Sequence, residues 1–308
     1  MNCLVTGGAG FIGSHLVYAL LQQGAQVRVL DNFSSGRREN LQGLDVDLIE
    51  GDLRDISCVT KAVRGVEVIF HEAAFVSVPE SFEKPQDCFD VNVTGTSSIL
   101  EAARRAGVTR VVIASSAAVY GDSDALPLIE ETPLNPMSPY AVSKRVNELY
   151  AGLYTHAYGV EVVALRYFNV YGPRQRPDSM YAAAVPIFIR RMLEKEPVTV
   201  FGDGGQTRDL INVHDIVRAN LIGSRHPAAP GQILNVCTGR ETRVLDLLDV
   251  LYEIFPDAPR HSHAEPRAGD IYHSVGAPQK AREVIGFDPQ VSLAEGLKEA
   301  VNAMRNSS

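Results

Sequence analysis

Thr6-Gly7-Gly8-Ala9-Gly10-Phe11-Ile12-Gly13 follows a short apolar run, Cys3-Leu4-Val5, and opens a helical pattern from Phe11 to Gly24 with apolar residues at Phe11, Ile12, Leu16, Ala19 and Leu20. A strand, a glycine turn and a helix in that order set backbone N–H groups and the positive end of a helix against a pyrophosphate. Gly7 supplies the tight turn, Gly10 lets the backbone approach phosphate, and Gly13 lets helix and strand pack closely. A tight turn with no ligand is the competing reading. The strand before the glycines and the helix after them argue against it.

Working outward, short apolar runs alternate with helical patterns. Val27–Leu30, Val46–Ile49, Val66–Phe70, Val111–Ala114 and Val162–Leu165 read as strands. Helices are expected near Asp55–Val63, Pro85–Ala106 and Pro139–Tyr158. This alternation predicts right-handed crossovers and an α/β fold, a doubly wound parallel sheet of the Rossmann type whose ligands bind at the carboxyl ends of the strands. Beyond Phe168 the texture changes to a polar, proline-bounded stretch, Asn169–Pro177. A helix near Ala182–Leu193, a strand Val198–Phe201, a glycine turn and a helix after His214-Asp215 follow. Pro256–Pro266 reads as a long loop, and the tail as a helix over Ser292–Met304 with Ser292 as its N-cap. We expect a dinucleotide domain over residues 1–168, with segments near 198–236 partly returning to it. Residues 169–308 are expected to form mainly a smaller, interleaved substrate domain.

The 308 residues allow an ample core, and 45% hydrophobic with 21% charged residues is ordinary for a globular protein. A net charge of −8 gives no basic footprint for nucleic acid. The four cysteines, Cys3, Cys58, Cys88 and Cys237, are scattered without metal spacing, so reduced thiols in a cytoplasmic protein are expected. No apolar run approaches a membrane span, and no basic segment precedes the first strand. His261, His263 and His273 lack ligand spacing, so no metal is expected.

Several residues carry chemistry. Asp31 closes the second apolar run, where an acid accepts hydrogen bonds from ribose hydroxyls and repels a 2′-phosphate, favouring NAD over NADP. Asp52-Leu53 reads either as an adenine-side contact or as a helix start. Tyr140 and Lys144 lie four apart and so share a helix face; no other tyrosine of the eleven has a lysine at that spacing. A tyrosine is a poor base at neutral pH, but a neighbouring ammonium and the positive nicotinamide of oxidised NAD favour phenolate. Ser115 and Ser116 end a strand, where a hydroxyl can bridge substrate to Tyr140. No His/Asp arrangement accompanies them, which argues against a hydrolase. Arg208 and Arg267 read either as bidentate diphosphate ligands or as ordinary salt bridges.

Taken together, Thr6–Gly13, His71-Glu72-Ala73-Ala74, Asn92, Ser115–Gly121, Tyr140-x-x-x-Lys144, Leu165–Asn169, Arg208-Asp209 and Arg267–Asp270 resemble the extended short-chain dehydrogenase/reductase family, of the UDP-glucose 4-epimerase type. The resemblance covers essentially the whole chain. It implies a tightly held NAD that is not consumed, a UDP-sugar substrate and a homodimer formed through helices matching Pro85–Ala106 and Pro139–Tyr158. By the same resemblance Tyr140, helped by Ser116, takes the proton of the sugar C4 hydroxyl. Lys144 holds the nicotinamide ribose and lowers the pKa of Tyr140. The 4-keto sugar then turns over and is reduced on its other face. Phe11, Ile12, Asn32, Asp52, Leu53, Ala73, Ala74, Asn92, Ser115 and Tyr167 are expected around NAD. Asn169, Arg208 and Arg267 are expected on the phosphates with Asp270 beside them, and Phe201 near the uracil.

Departures from the family pattern refine this. Ala117-Ala118 stand where related dehydratases and decarboxylases carry acids. Val76 stands where some glucose epimerases carry a lysine that contacts the cofactor. Ser274 aligns with a pocket residue that is small in enzymes accepting N-acetylated sugars, and Ser77-Val78-Pro79 looks like theirs too. The resemblance therefore implies UDP-glucose and UDP-galactose, extended to UDP-N-acetylglucosamine and its epimer. The alternatives are UDP-glucuronate 4-epimerase, another nucleotide-sugar oxidoreductase of the same fold, or an NAD-sensing module without catalysis.

Overall fold

In the computed structural model, which describes residues 1–177, 183–266 and 271–307, the first apolar run is β1 (Asn2–Thr6), and the glycine turn leads into α1 (Phe11–Gln22). Then come β2 (Gln26–Asp31), β3 (Asp47–Glu50), α2 (Ile56–Val63), β4 (Val68–His71), α3 (Val78–Glu83), α4 (Pro85–Phe89) and α5 (Gly95–Ala106). β5 (Arg110–Ser116), α6 (Pro139–Tyr158) and β6 (Glu161–Tyr167) complete the expected alternation. Successive strand residues face opposite sides. Val111 and Ile113 join one apolar cluster with α2, α5 and α6, whereas Val112 and Ala114 join another with α1. Burial on both faces is why these strands read as continuous apolar runs.

The sheet has seven strands. The seventh, β11, comes from far downstream. The intervening elements are β7 (Asn169–Tyr171), α7 (Ala184–Leu193), β8 (Thr199–Phe201), β9 (Thr207–Arg208), β10 (Leu210–Asn212) and α8 (Val213–Gly223). β11 (Ile233–Val236) then pairs parallel to β6, giving the order β11-β6-β5-β4-β1-β2-β3. The order reverses direction at β1, and the crevice at such a switch point is where ligands bind in this architecture. The remaining elements are β12 (Thr242–Arg243), α9 (Val244–Ile254), β13 (Ser262–Ala264), α10 (Gln279–Ile285) and α11 (Leu293–Ser307). A third apolar cluster gathers α7, α9, α11 and β8 into a second lobe.

Local chemistry explains the helix ends. Ser138 caps α6 through Ala141 N, Pro139 occupies the first turn, and Gly159 at φ 70° ends the helix in the left-handed conformation. Four expectations need correction. Asp52 does not begin α2. Asp55 does, accepting from Ser57 N and Cys58 N. The helix placed after His214-Asp215 starts at Val213, because Asn212 already accepts from His214 N. The Pro256–Pro266 stretch is not all loop: β13 pairs with β8, and its exposed Ser-His-Ala side chains gave no apolar alternation to read. The expected Pro85–Ala106 helix holds a π turn at Asp90–Thr94, a distortion that clusters at functional sites.

Candidate active site

The glycine turn closes as its sequence demands. Gly7 has φ +68°, and a Cβ there would come 2.8 Å from Ala73 N. A Cβ on Gly13 would sit 2.1 Å from Gly7 O. No side chain caps α1, and its first turn holds no acid, so the N–H groups around Phe11 and Ile12 remain available to an anion. Asp31, at the end of β2, accepts from Ala9 N (2.9 Å) and Phe33 N (2.8 Å). Burial pushes its carboxyl up despite these bonds. Asn32 donates to Asp52 (3.0 Å), which Arg54 grips and holds well below the usual carboxylate range. Leu53 is buried in the core beneath. Ala73 N bonds Thr6 Oγ1 at 3.2 Å, and Ala73 and Ala74 are half-buried beside the turn. A tight side-chain-free loop, an uncapped helix start and an acid at the next strand end fit the phosphates and ribose of a dinucleotide.

Ser116 and Tyr140 come together: the serine hydroxyl lies close enough to the phenol to favour its ionised form. Ser116 also caps the short turn Ala117–Tyr120 by accepting from Ala118 N. Lys144, only 4% exposed, donates from Nζ to Ala114 O at 2.9 Å, with Nζ 5.8 Å from the Tyr140 ring centre. Burial pushes Tyr140 up, against the pull of Ser116, and burial brings Lys144 down to about 8. Removal from water disfavours the charged form of each group.

Two residues expected around the cofactor have their side chains engaged within the protein. Ser115 Oγ donates to Glu148 Oε1 (2.7 Å), so its hydroxyl braces the strand end. Asn92, on the π turn, is 1% exposed; its amide donates to Phe75 O (3.0 Å) and Ser143 Oγ (2.9 Å) while its oxygen accepts from Phe75 N (2.7 Å). It fixes the segment after Ala74 and the helix bearing Tyr140 from behind. Tyr167, 7% exposed, donates to Glu72 Oε1 (2.8 Å).

The residues expected on the substrate side lie on or beside short strands. β7 pairs with β10, setting Asn169 against Leu210. Ser274 is clamped to the Thr207–Asp209 segment, donating to Thr207 O (3.2 Å) and accepting from Asp209 N (2.8 Å). Arg208 Nη1 donates to Thr207 O at 2.8 Å. Phe201 ends β8, half-buried, its carbonyl held by Gln206. Arg267 and Asp270 lie outside the described residues. Sequence reading missed Asp209, whose fully buried carboxylate accepts from Thr238 N, Thr238 Oγ1, Gly239 N and Gly276 N. It missed Glu148 too, which pairs with buried Arg166 at 2.7 Å. Tyr140, Lys144 and Glu148 stand at steps of four, a spacing that marked Glu148 for the same helix face. Among the described residues no His, Cys, Asp or Glu cluster could hold a metal, and no helix is long and apolar enough to cross a membrane.

A dinucleotide turn at the switch point, with a Ser, Tyr and Lys set one strand away, defines a nicotinamide-dependent enzyme of the Rossmann class. Residues 3–237 match the NAD dependent epimerase/dehydratase family, and the chain belongs to it, with NAD as cofactor. The UDP-glucose 4-epimerase of Mycolicibacterium smegmatis is 42% identical, over the whole of both chains. A UDP-glucose 4-epimerase from Thermotoga maritima, solved with UDP-glucose, superposes with a TM-score of 0.95 at 38% identity, covering 100% of this chain and 99% of that one. The UDP-N-acetylglucosamine 4-epimerase of Methanobrevibacter ruminantium, solved with UDP-N-acetylmuramic acid, gives 0.96 at 35% identity, with the same coverages.

Proposed function

We propose that this protein is a UDP-hexose 4-epimerase interconverting UDP-glucose and UDP-galactose. The observation that carries this is Lys144, buried and anchored on Ala114 O, on the same helix face as Tyr140, with Ser116 beside the phenol. Tyr140 Oη takes the proton from the sugar hydroxyl, and Ser116 Oγ bridges the two oxygens. Lys144, anchored on Ala114 O, supplies the positive charge that the phenolate needs in a dry site. NAD, when bound along the glycine turn and Asp31, supplies a hydride acceptor that gives the hydride back, so net redox is zero. Asn169, Arg208 and Arg267 hold the diphosphate, with Phe201 against the base. Ala117-Ala118 offer no acid for dehydration.

Ser274 extends the reading to N-acetylated sugars, supported by its small side chain and by the similarity to an N-acetylglucosamine epimerase. A Ser274→Tyr variant is expected to lose UDP-N-acetylglucosamine at least tenfold more than UDP-glucose; equal loss counts against the assignment. The face of α4 and α6 carries exposed Phe89, Val142, Leu149 and Leu153 beside a groove of about 330 Å³ lined by Pro85, Val93 and Val146. This supports pairing with a second copy, which light scattering tests. The deciding experiment incubates purified protein with UDP-galactose without added NAD. UDP-glucose as product supports the proposal. No conversion even with NAD supplied moves the assignment to UDP-glucuronate.

A further inference from the structure

Glu72 stands at the carboxyl end of β4, between the glycine turn and Tyr167, and the proposed chemistry gives it no part. A Cβ on Gly7 would come 3.1 Å from the Glu72 carbonyl carbon, so the residue borders the dinucleotide turn. Its carboxyl accepts from Tyr167 Oη at 2.8 Å, and Tyr167 Oη accepts from Asn220 Nδ2 at 2.7 Å. Three elements, β4, β6 and α8, are thereby tied by one hydrogen-bonded chain. Asn220 Oδ1 is buried without a partner. Asn220 Nδ2 also donates to Ile216 O at 3.0 Å, which fixes the amide's orientation and makes Tyr167 Oη the donor to Glu72.

The groups facing Glu72 are few. The β4–β5 register sets His71 against Ile113, so Glu72 follows beside Ala114, whose carbonyl holds Lys144 Nζ; Lys144 and Tyr140, both from α6, feel its charge. From β6 comes Tyr167, from α8 Asn220, and on its own strand lies His71, which burial keeps neutral. Cys88, from α4, acts on Tyr140 and Lys144 as well. Burial raises the Glu72 carboxyl to about 7.

We propose that Glu72 is a positioning residue of the reaction centre. Its carboxyl holds the Tyr167 ring through the hydroxyl, and its negative charge opposes ionisation of Tyr140 while favouring the ammonium form of Lys144. This rests on Tyr140 being the acid–base group. Above about pH 7 the charge is present, and below it the phenol is released from that opposition.

The test is an ultraviolet titration of phenolate, with and without NAD, in which the same titration of a Tyr140→Phe background isolates Tyr140. Glu72→Gln is expected to lower the Tyr140 midpoint by about one pH unit. Glu72→Ala, measured in parallel, carries the comparison if the glutamine variant does not fold. Glu72→Asp keeps the charge and is expected to leave the midpoint in place. An unmoved midpoint in the charge-free variants overturns the proposal, as does an equal shift in Glu72→Asp, which would assign the effect to packing. Because no sugar nucleotide enters the titration, its outcome stands apart from failure to convert UDP sugars.

Discussion

The half of the molecule that fits NAD and the half proposed to hold the sugar nucleotide are built by different means. On the cofactor side, functional groups sit at the ends of long buried strands and are braced from behind by buried polar chains. One such chain runs Thr6–His71–Thr96 and another Ser115–Glu148–Arg166. On the substrate side, two- and three-residue strands, paired two at a time, carry Asn169, Phe201 and Arg208. They are drawn together by backbone clamps and by one buried carboxylate, Asp209. The first half obtains rigidity from the sheet itself. The second obtains it from individual hydrogen bonds, which leaves its geometry easier to vary with the substrate.

Mutations should break the two halves differently. The largest effect is expected at the chemistry they share: Tyr140→Phe should lower turnover by about 10³-fold or more while NAD content and melting temperature are kept. A variant that still turns over within tenfold of the parent would remove the acid–base assignment. Next, Glu148→Ala strands buried Arg166 and should cost about 3–5 kcal/mol of stability. Chemical denaturation measures it, and a loss below about 1 kcal/mol would mean the cofactor half does not depend on its braces. By contrast, Arg208→Ala should raise KM for the nucleotide sugar about tenfold with little change in unfolding. Equal damage to turnover and stability would dissolve the distinction.

The smallest effect is one of pH. His71, buried between two threonine hydroxyls, is held neutral, down to about 3. A histidine lowered in the fold keeps its full stability contribution above the unfolded value near 6.5, and loses it as pH falls toward the folded value. The parent should therefore lose stability on acidification from pH 6.5, by up to about 1.4 kcal/mol per pH unit, relative to a His71→Gln variant. Parallel curves for the two proteins would show that His71 does not set the acid limit.

The cofactor half was legible because its signals are contiguous. Glycine spacing, apolar runs and a Tyr/Lys pair on one helix face are each readable within a dozen residues. Side-chain direction was not. Ser115 and Ser116 are adjacent, yet strand alternation sends one hydroxyl to Glu148 and the other to Tyr140. Nor was charge balance: desolvation of Tyr140 and Lys144 depends on what surrounds them, which spacing does not state. In the substrate half, β7, β9 and β10 are too short to show periodicity, and their pairing is a matter of long-range contact. Asp209 looked like the neighbour of an interesting arginine, and only the fold shows that it collects four bonds from two distant loops.

The seventh strand has a consequence for synthesis. When β6 has left the ribosome its outer edge is an open row of N–H and C=O groups, and β11 arrives roughly 65 residues later. At translation rates of about 5–20 residues per second this leaves the edge uncovered for ~3–13 s. An uncovered edge invites pairing with another nascent chain. Only α7 and β8 of the second lobe are translated inside that interval, α9 and α11 following β11, so a truncation that removes β11 would leave an aggregation-prone sheet in place of a free-standing cofactor domain.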